Sequence, residues 1–348
     1  MAYTTINKST DYFNTKLYTG NGGTQSITGV GFQPDWTWFK RRDGTDTHAV
    51  FDAVRGVTKR LIPNNTTAEG TQSNGLTAFG TDGFTIGDAG ICNTNTGTYA
   101  SWNWKAGNSS GSANTDGDIN STVSANTTAG FSIVSYTGTG SNATVGHGLG
   151  SAPGWIVLKN RTTNRNWEIL HHKNTASPAT QQLEFITDAT ATVTTQWNSV
   201  MPTSSVFSIG TNDSTNKNGD SFIAYCFAEK TGYSKFGSYT GNGNVDGPMI
   251  YTGFKPAWGI FKRTNSTGNW IIMDNKRSPF NEMQKNLFAN TNAAEDSSTT
   301  YNDFDFLSNG VKIREDNNDI NASGSTYIYM LFAEAPLVGT NNIPATAR

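Results

Sequence analysis

Hydrophobic and polar residues alternate over short stretches of this chain, and Gly, Asn and Asp separate one stretch from the next. Within Tyr99–Trp104, Trp102 and Trp104 stand two positions apart, and Trp155–Leu158 is a short apolar run of the kind found in buried strands. No segment shows a ten-residue pattern with the 3.6-residue helical period. The pattern therefore predicts an all-β protein made of short antiparallel strands.

The predicted strands form three similar series. Each series begins with a Tyr-Thr-Gly triplet, and the triplets start at Tyr18, Tyr136 and Tyr239, about a hundred residues apart. A run headed by tryptophan follows each triplet and ends in lysine. We therefore expect three tandem β-sandwiches of jelly-roll or lectin-like type, with Trp, Phe, Ile and Val facing inward. The predicted organisation is an N-terminal arm 1–16, sandwiches 17–107, 130–230 and 231–335, a polar linker 108–129 and a C-terminal tail 336–348.

Composition and charge narrow the range of functions. Aromatic residues make up 11% of the chain, enough to build a core, while charged residues are only 15%. The net charge is −2, with no basic stripe for nucleic acid and no apolar run long enough for membrane insertion. Cys92 and Cys226 are too few for a disulfide framework, and the first residues lack a secretory pattern, so we expect assembly in a cytoplasm.

Sequence motifs for catalysis are missing. The four histidines have no partners at metal-ligand spacing, and neither a Gly-x-Ser-x-Gly elbow nor a phosphate-binding loop occurs. The glutamates are scattered rather than paired along a strand as a glycosidase needs. We expect no enzyme activity and no cofactor. Asn114–Asn120 alternates oxygen-bearing side chains, so a Ca²⁺ site and a solvated linker both stay open there.

One polar pattern recurs after the second predicted strand of a series. Asp52 and Arg55 in the first series correspond to Asp274 and Arg277 in the third, while His171 stands at this place in the second. One interpretation is an Asp–Arg pair that pins the following loop. The other is a polar pocket for a sugar or another subunit, in which the aspartate accepts hydrogen bonds and the arginine donates them.

The tryptophans also allow two interpretations. Trp36, Trp155 and Trp258 occupy the same place in every series, within apolar runs, which favours a core role. Trp197 has no counterpart in the other series, so it is the candidate for an exposed ring that stacks on a sugar.

The openings Gly31–Lys40 and Gly253–Lys262 and the Phe-Ala-Glu closings 227–229 and 332–334 carry a family resemblance. Nearly the whole chain resembles the tandem β-repeat, structural and tail-fibre-like proteins of marine bacteriophages, including those of cyanobacteria and Pelagibacter. The resemblance implies a virion surface component with lectin-like sandwiches and no catalytic residues. It implies other virion proteins as partners, together with a host surface glycan or protein.

Our first hypothesis is therefore a tail-fibre or receptor-binding component on the virion surface, assembled in the host cytoplasm. A capsid decoration protein that clamps major capsid subunits is the alternative, and a host-glycan hydrolase is a weaker one. The lack of a coiled-coil heptad counts against a long fibre. A homotrimer and a monomer on a threefold axis both stay open.

Overall fold

The computed structural model describes residues 3–296 and 303–339, and their regular secondary structure is almost entirely β-strand. All the strands that form its sheets pair antiparallel, so the predicted all-β antiparallel sandwich fold is confirmed. Within the described residues, no α-helix exceeds four residues and none is long and apolar enough to cross a membrane.

The first set of strands forms a main sheet in the order β1-β9-β3-β4 and a small sheet in the order β2-β8-β7. A two-stranded ribbon, β5-β6, lies beside them. A 3-10 turn, Ser9–Asp11, comes before the first strand. The elements of set 1 are β1 (Phe13–Thr19), β2 (Gln25–Thr28), β3 (Trp36–Arg41), β4 (Ala49–Asp52), β5 (Lys59–Arg60), β6 (Gly70–Thr71), β7 (Leu76–Gly80), β8 (Gly83–Ile86), α1 (Gly90–Asn93) and β9 (Thr98–Trp104).

The second set has a six-stranded main sheet in the order β10-β11-β12-β19-β14-β15, a small sheet β13-β18 and a ribbon β16-β17. A 3-10 turn, Pro178–Thr180, comes before that ribbon. The elements of set 2 are β10 (Ser112–Asn114), β11 (Ser121–Asn126), β12 (Phe131–Thr137), β13 (Ala143–Gly146), β14 (Trp155–Asn160), β15 (Trp167–His171), β16 (Gln181–Gln182), β17 (Ala191–Thr192), β18 (Val206–Ile209), α2 (Asp213–Asn216) and β19 (Ser221–Phe227).

The third set has a main sheet in the order β20-β27-β22-β23-β24 and a small sheet in the order β21-β26-β25. The four-strand order β1-β9-β3-β4 of set 1 thus recurs as β12-β19-β14-β15 and β20-β27-β22-β23. The elements of set 3 are β20 (Ser234–Thr240), β21 (Met249–Tyr251), β22 (Phe254–Arg263), β23 (Trp270–Asp274), β24 (Leu287–Phe288), β25 (Phe304–Leu307), β26 (Gly310–Ile313), α3 (Asn318–Asn321) and β27 (Thr326–Pro336).

The three main sheets pack one face each into a single central core, to which all three sets contribute. Trp104, Phe227 and Phe332 occupy equivalent positions and meet in a triangle at the centre of this core. Their ring centroids are 6.3, 5.8 and 6.0 Å apart, which marks a local threefold axis. The sets therefore surround a common axis and do not follow one another in a row.

The opposite face of each main sheet packs against the small sheet of its own set. Phe39 contacts Phe84 in set 1, and Phe261 stacks on Phe304 in set 3, with ring centroids 5.1 and 4.6 Å apart. Each set thus has an outer core of its own besides the shared one. Because strands such as β4, β14 and β23 are covered on both faces, they appear in the sequence as nearly continuous apolar runs.

The predicted linker 108–129 is wrong for much of its length, because residues 112–114 and 121–126 form β10 and β11. β11 pairs with β12 over six residues, from Ser121 opposite Tyr136 to Asn126 opposite Phe131. Ser121 and Ser124, which suggested a linker, are buried in β11 beside Val123. Likewise, β1 begins inside the predicted arm 1–16 and β27 extends into the predicted tail. Residues 340–348 of that tail lie outside the described residues.

The repeated Tyr-Thr-Gly triplet joins the end of β1, β12 or β20 to the short helix of the same set. Tyr18 donates a hydrogen bond to the carbonyl of Cys92, and a Cβ on Gly20 would lie 2.2 Å from the Thr94 carbonyl oxygen. The Asn93 carboxamide oxygen then accepts the N–H of Asn21. Close approach of two backbones explains the glycine. Equivalent contacts join Tyr136 to Thr215, Gly138 to Lys217, Tyr239 to Ile320 and Gly241 to Ala322.

Candidate functional site

A group of buried charged side chains lies at the three seams of the molecule, which we define as the contacts between sets 1 and 2, sets 3 and 1, and sets 2 and 3. A lysine that ends each Trp-headed run is completely buried at a seam. Its ammonium group donates to a carbonyl oxygen of the neighbouring set, and burial lowers the pKa of each lysine to about 8. The bonds are Lys159 to Thr66 (2.8 Å), Lys262 to Thr187 (2.8 Å) and Lys40 to Asn292 (3.3 Å).

Seam 1–2 holds the first predicted Asp–Arg pair. Asp52 accepts a hydrogen bond from the Arg55 guanidinium Nε, and both side chains are fully buried. The hydroxyl of Tyr225, from set 2, donates to Asp52 Oδ2 at 2.7 Å. Asp52 and Arg55 therefore pin their own loop and also fasten set 1 to set 2.

A second acidic residue completes the charge balance at seam 1–2. Glu69 of set 1 accepts two hydrogen bonds from Arg161 of set 2, at 2.9 and 3.0 Å, and one from Arg55 at 3.1 Å. Burial acts to raise the pKa of Glu69, but the two guanidinium groups outweigh it and the pKa is lowered. The bidentate geometry is the strongest form of such a pair.

Seam 3–1 repeats this arrangement with different aromatic residues. Arg277 Nε donates to Asp274 Oδ2 at 2.6 Å, and the indole N–H of Trp102, from set 1, donates to the same oxygen at 3.0 Å. Arg42 of set 1 makes a bidentate pair with Glu295, at 2.8 and 2.9 Å. The Arg277 guanidinium also lies 5.7 Å from the centre of the Trp102 ring.

At seam 2–3, the positions equivalent to the aspartate, the glutamate and the two arginines are neutral. His171 stands in place of the aspartates, and its Nε2 lies 3.1 Å from the Tyr329 carbonyl oxygen of set 3. Burial lowers the pKa of His171 to about 3, so it is an uncharged imidazole that donates through Nε2. The other replacements are Asn174 for the pinning arginine, Thr190 for the glutamate and Thr264 for the opposing arginine. Their backbone contact is kept, because Thr190 N–H donates to the Thr264 carbonyl at 2.8 Å.

The predicted contact residues are thus divided among the three seams. Asp52 and Arg55 meet at one, Asp274 and Arg277 at the next, and His171 lies at the third. All five are buried, with exposed fractions of 8% or less, so none of them offers a polar group to an external ligand. Sequence reasoning found the local pairs but missed their partners Tyr225, Trp102, Glu69 and Glu295.

Trp197 is not an exposed ring. It is completely buried and belongs to the outer core of set 2, where Phe207 and Ile209 are also members. Trp197 has no counterpart in the other sets because the outer core of set 2 is packed with different side chains, and it does not form a sugar site. Trp36, Trp155 and Trp258 are buried in the shared core, as predicted.

A buried carboxyl group that the sequence analysis missed lies in set 2. Glu168 on β15 is completely buried, and its backbone forms an antiparallel β-bridge with Glu184. The side-chain amide of Gln182 donates hydrogen bonds to both carboxyl groups. Burial, and then the nearby Glu184, raise the pKa of Glu168 to about 8. The signal was present, since a lone glutamate interrupts the apolar run Trp167–Leu170.

The oxygen-rich segment Asn114–Asn120 is tied to the small sheet of set 2. Asp118 Oδ2 accepts hydrogen bonds from the N–H of Thr144 at 3.0 Å and from its hydroxyl at 2.8 Å. Across the described residues, no group of three or more His, Cys, Asp and Glu side chains is arranged to hold a metal ion.

Residues 8–336 match a protein family described as a domain of unknown function, DUF7483. A search of curated proteins found no match.

Proposed function

We propose that this chain, which belongs to the DUF7483 family, is a non-enzymatic structural protein of a bacteriophage virion. In this proposal its outer surfaces contact the host surface, as a receptor-binding or tail-fibre component does. The resemblance of the repeated motifs to those of phage structural proteins supports the proposed role in a virion. The arrangement of the three sets supports a role in presenting surfaces.

The observation that carries the proposal is the shared aromatic core around a local threefold axis. One chain thereby becomes a single body that directs three outer sheets away from its centre. The polar residues that could have served chemistry instead hold the sets together, as Asp52 and Asp274 do. Such a body can carry different loops at three places on a constant frame.

Labelled protein provides the test. The fluorescently labelled chain should bind host cells saturably, and antibodies to it should label the tail region of purified virions. It should release no reducing sugar from host surface polysaccharide. Labelling of no virion, or release of sugar, would contradict the proposal.

The local threefold axis also favours a second candidate, a decoration protein seated on a threefold position of a capsid. A monomer with internal threefold arrangement can contact three identical subunits in similar ways. In that case the chain should bind purified expanded capsids at one copy for each threefold position, and host cells should not compete. Electron microscopy of the labelled particles distinguishes the two candidates.

A further inference from the structure

β21 is the free edge strand of the small sheet in set 3. The Pro248 carbonyl and the Thr252 N–H are both bonded toward β26, at 3.1 and 3.0 Å. Because backbone groups alternate in direction along an antiparallel strand, the N–H and C=O groups of Met249 and Tyr251 point away from the sheet. No described residue forms a hydrogen bond with these four groups. Just beyond them, the hydroxyl of Tyr3 caps the carbonyl of Gly253 at 2.7 Å.

The side chains at this edge are apolar and exposed, in contrast to the equivalent edges. Met249 is 43% exposed and Tyr251 59% exposed, and they flank the buried Ile250. The edge strand β2 of set 1 has polar Ser26 and Thr28 beside buried Ile27. An exposed edge strand with apolar side chains is prone to pair with other chains unless it has a partner.

Set 2 shows what can cover such an edge, because residues 117–121 lie along β13. We name this segment the strap. Ile119 N–H donates to the Thr144 carbonyl at 3.0 Å, and Asp118 accepts the Thr144 N–H at 3.0 Å. The hydroxyl of Ser121 donates to the Gly146 carbonyl at 2.9 Å.

Thr144 and Gly146 are the counterparts of Met249 and Tyr251, since Val145 and Ile250 are the buried residues between them. The strap begins with Gly117 because a Cβ there would lie 2.5 Å from the Thr144 carbonyl oxygen. The backbone groups of Thr144 and Gly146 are thus bonded by the strap, and Asp118 has further bonds with the Thr144 hydroxyl that β21 cannot offer.

Within residues 3–296 and 303–339, no segment lies along β2 or β21 as the strap lies along β13. Only six residues, 228–233, lie between β19 and β20 of set 3, whereas 26 residues, 105–130, lie between β9 and β12 and include the strap. From these observations we propose that β21 is a binding site for an extended segment of a partner polypeptide. The partner carries a Gly-Asp-aliphatic-x-Ser sequence and adds as a parallel strand, as the strap does on β13.

The chemistry of the segment follows from the edge groups. Its aspartate accepts the Met249 N–H, the N–H of its aliphatic residue donates to the Met249 carbonyl, and its serine hydroxyl donates to the Tyr251 carbonyl. The aliphatic side chain lies beside Ile250, and the side chains of Met249 and Tyr251 cover the segment on the outer face. Main-chain bonds of this type give affinity, and the flanking side chains give specificity.

The test uses a fluorescein-labelled peptide with the sequence of residues 113–123, titrated into the full-length chain and followed by anisotropy. The strap of the chain itself already covers β13, so the free peptide can reach only open edges. We expect saturable binding. Met249→Pro, which removes an outward N–H at an edge position, should weaken binding about tenfold or more.

Ser26→Pro is the matched control, because it changes the equivalent edge position of set 1, and it should leave binding unchanged. A peptide with alanine in place of Asp118 should lose affinity about tenfold or more. If Met249→Pro lowers the melting temperature, hydrogen exchange of the wild-type chain provides the second readout. The peptide should then slow exchange of the Met249 and Tyr251 amides.

Three results would overturn the proposal. One is unchanged binding by Met249→Pro together with loss of binding by Ser26→Pro. Another is no protection of the two amides at saturating peptide. The third is a concentration-dependent dimer, abolished by Met249→Pro, in a chain that binds no peptide, since the occupant would then be a second copy.

Discussion

At the residue scale, one side chain determines whether a seam is charged or neutral. Where Asp52 and Asp274 stand, an arginine, a glutamate and an opposing arginine accompany them. Where His171 replaces the aspartate, all of those partners are neutral. A buried charge without its partner is costly, which explains why the members of this group change together.

The first prediction concerns the buried pair at seam 3–1. Asp274→Ala leaves Arg277 and the Trp102 N–H without their acceptor, so the free energy of unfolding should fall by about 3–5 kcal/mol in urea denaturation. Asp213→Ala, which removes an exposed pair with Arg165, is the control and should cost less than about 1 kcal/mol. Host-cell binding by folded Asp274→Ala should not change. A loss of binding with unchanged stability would favour the ligand-pocket interpretation.

The second prediction concerns Glu168 and pH. Its pKa in the folded protein, about 8, lies above the unfolded value of about 4.5, so folding favours the protonated form. This stability is present below about pH 4.5 and is lost as pH rises toward 8. Glu184 and Lys159 face the same region, and the lysine pKa of about 8 restricts the useful window to pH 5–7.5.

Glu168→Gln removes this titration. Relative to the wild type, the variant should gain stability as pH rises from 5 to 7.5, by up to about 1.4 kcal/mol per pH unit. Urea denaturation at several pH values measures this difference. Parallel pH curves for the two proteins would show that Glu168 keeps an ordinary pKa.

The sequence shows local pairs better than distant ones. Asp52 and Arg55 are only three residues apart in the sequence, so their pairing could be predicted. The Tyr225 hydroxyl lies 173 positions away, and its role depends on how two sets pack. Trp197 was misjudged for the same reason, because burial in an outer core is set by distant strands.

At the element scale, strands were predictable because the main sheets are covered on both faces and therefore consist of apolar runs. β10 and β11 were not, since an outer strand needs apolar residues on one side only, and its Ser and Thr resemble a linker. The Tyr-Thr-Gly triplet was recognised as a repeat, but its contact with the short helix is visible only in three dimensions.

The third prediction tests this contact. Gly138→Ala places a Cβ 2.4 Å from the Lys217 carbonyl oxygen, and the backbone must shift to accept it. Thermal denaturation should show a loss of about 1–3 kcal/mol. Gly70→Ala is the control, because nothing lies within 4 Å of its added Cβ. Equal stability of the two variants would show that the triplet tolerates side chains at this glycine.

At the scale of the whole molecule, the repeat predicted three sandwiches but not their arrangement around one axis. Nothing in the residues of one set indicates that Trp104 meets Phe227 and Phe332 from the other two. The shared core and the buried seams together imply that no set keeps its inner face covered when the others unfold. All three sets should therefore unfold together, as one cooperative body.

Differential scanning calorimetry of the full-length chain tests this claim most directly. One endotherm should appear, with a calorimetric enthalpy close to the van't Hoff enthalpy. Asp274→Ala should move the whole endotherm to lower temperature. Separate endotherms for the three sets, with only one of them shifted by Asp274→Ala, would contradict the account.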